Sequence, residues 1–221
     1  MSSNYDEIRE QNIREYGEGT RHLSFLGQLY SDRTHFVYEL LQNAEDASAS
    51  KVSFTLFSDR LELFHDGTPF SEADVRGICG IGESEKTEDL TKIGRFGVGF
   101  KAVYAYTSKP EVHSGNEHFY ISHFVRPFST NLIIIPDKWT TKIIFPFDSQ
   151  GESTPEIAFD EIGDRLKTLS ARTLLFLRNI IEIEWKIDGH ESGQYLREQI
   201  KQTENRRRVT VIGQSRRGLI E

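Results

Sequence analysis

Two short stretches flanking Ser58-Asp59-Arg60 narrow the folds open to this chain more than any other feature. Val52, Phe54 and Leu56 alternate with Lys51, Ser53 and Thr55, and Leu61 and Leu63 resume the alternation after the turn. A period of two marks a strand with one buried face, and two such runs around a polar turn make a hairpin. Its apolar face needs a covering layer. Just upstream, Ser31 or Asp32 can cap a helix that runs through HFVYELLQNAEDA and stops near Ser48. Residues 70–92 read as a short helix plus a mobile loop, and a second helix starts near Gly99 and carries AVYAY. Further strands are expected at 118–124, 131–135 and 141–147, and a helix at about 156–170. The alternating run IEIEWKID and a last strand from Arg208 to Ile212 complete the pattern. Helices mixed with hairpin-like strands predict an α+β fold: a two-layer sandwich whose mixed, mostly antiparallel sheet is covered by helices. Residues 1–30 read as a polar N-terminal strap and 31–221 as the domain, expected to be the front piece of a longer protein.

Composition removes several classes of function. The formal net charge of -7 argues against a nucleic-acid binder, because a phosphate backbone selects positive surface. Arg206-Arg207-Arg208 and Arg216-Arg217 then read as a solvated charged face. Cys79 is the sole cysteine, so no internal disulfide can form and a reducing, cytoplasmic setting is expected. The start, SSNYDEIREQ, is too polar and acidic for a signal peptide. No apolar run approaches the ~18 residues of a membrane span.

Three features carry chemistry. Glu39, Asn43 and Asp46 stand at i, i+4 and i+7 of the first helix and so share a face, while Leu40, Leu41 and Ala44 point elsewhere. A carboxylate one turn from an amide oxygen can polarise a water beside a divalent cation, and magnesium asks for few protein ligands. Alone, the same spacing equally describes a solvated helix face. The second feature is the strand end His65-Asp66-Gly67, where glycine lets backbone approach a ligand and a carboxylate can accept a hydrogen bond. The third is Ile93-Gly94-Arg95-Phe96-Gly97-Val98-Gly99-Phe100-Lys101. Its glycines precede a helix and can cradle phosphate with backbone N–H groups. The spacing does not meet the Rossmann fingerprint. A Walker loop is nearly spelled by GIGESEKT, but Glu85 stands where that loop needs its second glycine.

Together ELLQNAEDA, HDGTPF and IGRFGVGF resemble the three boxes of the GHKL, or Bergerat-fold, ATPases. The stretch IGESEK followed by KIGRFGVGFKAVY and Ser114-Gly115 is most similar to the sacsin-like branch of that superfamily. The resemblance is dense over residues 33–115, with a weaker match at Thr140-Thr141-Lys142-Ile143. It implies ATP and Mg²⁺ as ligands, Glu39 as general base and Asn43 as metal ligand. Asp46 would sit near the ribose or the adenine edge, and Thr141 would support the adenine. Gly94, Gly97, Gly99 and the following helix start, with Arg95, Val98 and Phe100, would hold the phosphates over Phe96. Residues 78–93 would form a lid from which Ser84 and Lys86 reach a phosphate. The family's adenine-reading Asp stands two residues before the turn glycine, where this chain has His65, so His65 and Asp66 are alternatives and Asp66 is preferred. The implied activity is slow, Mg-dependent ATP hydrolysis with lid closure and an ATP-dependent homodimer. A non-hydrolysing, chaperone-like scaffold that uses ATP structurally is the alternative.

Overall fold

The computed structural model describes residues 1–28, 31–81, 99–149, 153–203 and 206–217. Asp32 accepts a hydrogen bond from the Thr34 N–H and opens a short 3₁₀ turn that leads into α2, Phe36–Asp46. Phe36, Val37, Leu40, Leu41 and Ala44 form its buried stripe. The hairpin follows as β1 (Lys51–Leu56) and β2 (Arg60–His65), antiparallel, with Val52 opposite His65. Next comes α3, Glu72–Cys79, started by a capping box in which Ser71 and Asp74 bond each other's backbone. The expected helix after Gly99 is instead a 3₁₀ stretch, Phe100–Ala105. Branched and aromatic side chains at Val103 and Tyr104 lose rotamer freedom in an α-helix, so propensity there is weak.

The remaining strands are β3 (Glu111–Ser114), β4 (Glu117–Ser122), β5 (Arg126–Ser129), β6 (Thr141–Pro146), β7 (Glu182–Ile187), β8 (Glu191–Thr203) and β9 (Arg206–Arg217). They lie in one sheet, in the order β5-β4-β3-β6-β2-β1-β7-β8-β9. Among the described strands β1 and β7 make the only parallel pair, so the sheet is mixed and mostly antiparallel as expected. One face carries Val52, Phe54, Leu61, Leu63, Ile143, Phe145, Val112 and Phe119, all buried and in register. The helices cover this face. Phe36 of α2 and Phe100 lie against Phe145, and Gly163 of α4 (Pro155–Thr168) lets that helix settle on Leu56 and Ile187. The opposite face is polar, with Glu62 paired to Lys142 at 3.0 Å and Lys51 to Glu182 at 2.8 Å.

Two further sequence expectations change. Residues 5–16 of the strap form α1, Tyr5–Tyr16, which Asn4 caps and whose buried residues are Tyr5, Ile8 and Asn12. Residues 131–135 are not a strand. The run of consecutive apolar residues there lacks alternation and ends at Pro136, and β5 pairs with β4 in its place. Leu132 and Ile134 are consequently exposed, at 72% and 91%. No helix among the described residues is long and apolar enough to cross a membrane.

Candidate functional site

Strand register sets a polar row into the otherwise apolar face of the sheet. His65 on β2 lies opposite Thr141 on β6, Thr141 opposite Ser114 on β3, and Ser114 opposite Glu117 on β4. All four are buried, and a buried polar side chain needs partners. The Ser114 and Thr141 hydroxyls bond each other at 2.5 Å, and the Phe70 N–H donates to Ser114 Oγ at 2.9 Å. Glu117 accepts from the Ser3 N–H, the Ser3 hydroxyl and the Tyr5 hydroxyl, the last at 2.6 Å. The chain start is thereby fastened to the end of the row.

Above the row is a narrow cleft of about 10 Å³, room for about one water, lined by Leu40, Asn43 and Ala44 from α2, with His65, Phe70, Ile78 and Phe100 among its other walls. Among the described residues Asn43 and His65 are its only polar lining. That is the usual makeup of a small-molecule site, apolar walls with a few placed polar groups. One turn before Asn43, Glu39 is half-buried and 3.4 Å from His35 Nε2. Its carboxylate presses on the backbone of Gly99, where an added Cβ would stand 2.0 Å from Glu39 Oε2. A side chain at position 99 would have to displace the Glu39 carboxylate. Two motifs about sixty residues apart in sequence thus meet at one point. Asp46, the last residue of α2, is half-buried on the same face and outside the cleft lining.

The turn after β2 sends its first two residues opposite ways. His65 faces the cleft side, and the Gly67 N–H donates to its Nδ1 at 3.2 Å. Burial pushes its pKa down to about 4, with the neighbouring Asp66 charge opposing, so the ring is neutral. Asp66 instead accepts from the Ser50 N–H at 2.7 Å, the Lys51 N–H at 2.8 Å and the Ser50 hydroxyl. Burial opposes ionisation of that carboxyl, but these hydrogen bonds outweigh it and hold its pKa below the usual value. Asp66 borders a separate opening with Lys51, Lys138, Trp139 and Glu182. Gly67 packs on the end of α2, where a Cβ would meet the Ala47 carbonyl oxygen at 2.6 Å.

Residues 56–126 match the family model described as Sacsin domain. Two curated relatives are similar over a comparable length. Protein NO VEIN of Arabidopsis thaliana is 34% identical over 97 residues, 42% of this chain and 4% of that protein. Sacsin of Homo sapiens is 33% identical over 105 residues, 40% of this chain and 2% of that protein. The chain therefore spans a small fraction of the length of either relative. These matches support a sacsin-like relationship.

The Sacsin-domain match takes in the His65-Asp66-Gly67 turn, the glycine box and Ser114, while Glu39, Asn43, Asp46 and Thr141 lie outside it. Of the expected site residues, Asn43, His65 and Phe100 line the cleft, Thr141 lies opposite His65 in the sheet, and Glu39 and Gly99 meet one turn of α2 from Asn43. Ser84, Lys86, Gly94, Arg95, Phe96, Gly97 and Val98 lie outside the described residues. Three buried or half-buried groups had no clear mark in the sequence. His35 beside Glu39 was visible only as an i, i+4 spacing. Glu45 is buried and accepts from the backbone N–H groups of Arg178, Asn179 and Ile180. Lys101 is fully buried, donating to the carbonyls of Ile78 and Phe124 at 2.7 and 2.6 Å. Burial lowers its pKa to about 8.

Proposed function

We propose that the cleft binds a purine nucleoside triphosphate with magnesium, and that Glu39 drives its slow hydrolysis. The observation that carries this reading is the approach of the Glu39 carboxylate to the Gly99 backbone, one helical turn from Asn43, which lines the apolar cleft. Glu39 is held where it can take a proton from a water, yet it is not sealed from solvent. Asn43 offers a neutral amide oxygen one turn away, a hard donor of the kind magnesium accepts when phosphate and water fill its other positions. Among the described residues no three His, Cys, Asp or Glu side chains form a metal cage, so Asn43 would hold the cation jointly with the ligand's own oxygens. Magnesium, when bound, would neutralise charge on the β- and γ-phosphates. His35 would orient Glu39, and the apolar walls from Leu40 to Ile143 would exclude water from the base.

The sacsin-like similarity agrees with this assignment. Nucleotide-dependent lid closure and pairing of two copies belong to the same proposal, and sedimentation with and without a non-hydrolysable ATP analogue tests the pairing. Binding is expected at the micromolar scale, about -8 kcal/mol. The decisive experiment is calorimetry of Asn43→Ala with ATP, in magnesium and in EDTA. Affinity should fall much further in magnesium than in EDTA. Equal losses would return Asn43 to a structural role, and no binding by the parent chain would end the reading.

A further inference from the structure

The polarity of the imidazole in the cleft wall bears on which base it takes. An imidazole has two nitrogens, and in the neutral ring one donates while the other accepts. At His65 the assignment is fixed by its own turn. The Gly67 N–H donates to Nδ1 at 3.2 Å, so Nδ1 holds the lone pair and the hydrogen sits on Nε2. Burial keeps the ring neutral, which removes the state in which both nitrogens donate. Among the described residues Nε2 bonds to nothing. The ring is only 3% exposed and lines the cleft. The two nitrogens flank Cε1 and their in-plane directions diverge, so with Nδ1 turned back to Gly67, Nε2 points away from that turn.

Resting on the nucleotide reading above, we propose that His65 Nε2–H is the base-selecting group, a donor to a ring nitrogen of adenine rather than an acceptor for its amino group. Asp66 borders the separate opening, outside the cleft lining, with its carboxylate bonded to Ser50 and Lys51. The neighbouring Ser114–Thr141 hydroxyl pair, in register with His65, is fully buried and does not line the cleft, which leaves His65 and Asn43 as the cleft's polar groups among the described residues. The donor selects adenine because N1 of adenine carries a lone pair, whereas N1 of guanine carries a hydrogen and would face Nε2–H donor to donor. An unmatched buried donor is strongly disfavoured.

The test is calorimetry of the intact chain with four triphosphates: ATP, the purine riboside triphosphate that lacks the amino group, 1-deaza-ATP and 7-deaza-ATP. The amino-less analogue should bind within about threefold of ATP. 1-Deaza-ATP should bind about tenfold more weakly, the equivalent of about 1.4 kcal/mol, while 7-deaza-ATP binds like ATP. In His65→Leu that deaza penalty should vanish, a comparison within one variant that a general loss of stability does not imitate. His65→Asn, which can still accept from Gly67 and donate forward, should restore some of it. Binding of 1-deaza-ATP as tight as that of ATP, whatever the other analogues show, would overturn the assignment and leave the ATP site standing. Failure of all four to bind would overturn the nucleotide reading itself.

Discussion

Gly99 leaves room for the Glu39 carboxylate, since the Cβ of any other residue would stand 2.0 Å from Oε2 and push the side chain aside. Two variants should therefore behave alike. Glu39→Gln should cost about 10²–10⁴ in the hydrolysis rate while nucleotide affinity stays close to the parent's. Gly99→Ala should reach a comparable loss by displacing the side chain. The double variant should be little worse than either alone, because both act on one group. Phosphate-release assays on the three proteins check this, and additive losses would show that Gly99 acts on something other than Glu39. At this scale the sequence was partly legible. Glu39 and Asn43 followed from helical spacing, but the contact between Glu39 and Gly99 joins distant segments and no local pattern carries it. The orientation of His65 against Asp66 was equally hidden. Alternation says that neighbouring strand residues face opposite ways, yet not which of them meets a cleft until the covering layer is known.

Among the elements, α2 does more than present a face to the cleft. Its Glu45 reaches the other side, where one carboxylate collects the N–H groups of Arg178, Asn179 and Ile180 just before β7. This fixes the entry of β7 beside β1, the parallel pair that joins the two halves of the sheet. Glu45→Gln trades one acceptor oxygen for a donor facing an N–H. It should destabilise the protein by about 1–3 kcal/mol, the range for a buried group left unsatisfied. Hydrogen exchange should quicken first at the β7 amides, with β2 and β6 protected as before. Uniform loss of protection would assign Glu45 to the core at large. The elements themselves divide by how they announce themselves. Strands β1 and β2 and helix α2 bury broad, regular faces and were legible. Helix α1 buries only Tyr5, Ile8 and Asn12, too narrow a stripe to stand out of a polar segment. The run at 131–135 misled because apolar content without alternation does not distinguish a strand from an exposed crossing.

For the molecule as a whole, buried titratable groups set how stability follows pH. His65 is held near 4 by burial against an ordinary 6.5, so the unfolded chain takes up a proton that the folded one refuses. Stability is full above about 6.5 and falls as pH drops toward 4. His113, lowered by burial with Glu111 opposing, adds in the same direction. On the alkaline side Lys101 is lowered to about 8 from 10.5, so its burial costs stability below 8 and that cost is relieved as pH rises. Cys79, raised by burial to about 12 from 9, pulls the opposite way above 9. Stability should thus climb between pH 8 and 9 and flatten beyond. Thermal melts across pH 4.5 to 9.5 check both limbs. His65→Leu should lessen the acid slope and Lys101→Met should remove the rise, and an unchanged profile in either variant would contradict the burial argument.

The order of the strands also governs how the molecule would answer to tension carried along the polypeptide. At one end Ser3 and Tyr5 are fastened to Glu117 on β4, next to the outermost strand β5. At the other end the described chain leaves from β9, the opposite margin of the sheet, where Arg217 lies across from Glu191. A pull between these points runs across the strands, not along them. Loaded that way, backbone hydrogen bonds break in succession like the teeth of a zipper, instead of sharing the force as they do in shear. The β8–β9 ribbon would peel at modest force while the cleft, built on β2, β6 and α2 in the middle of the sheet, kept its shape.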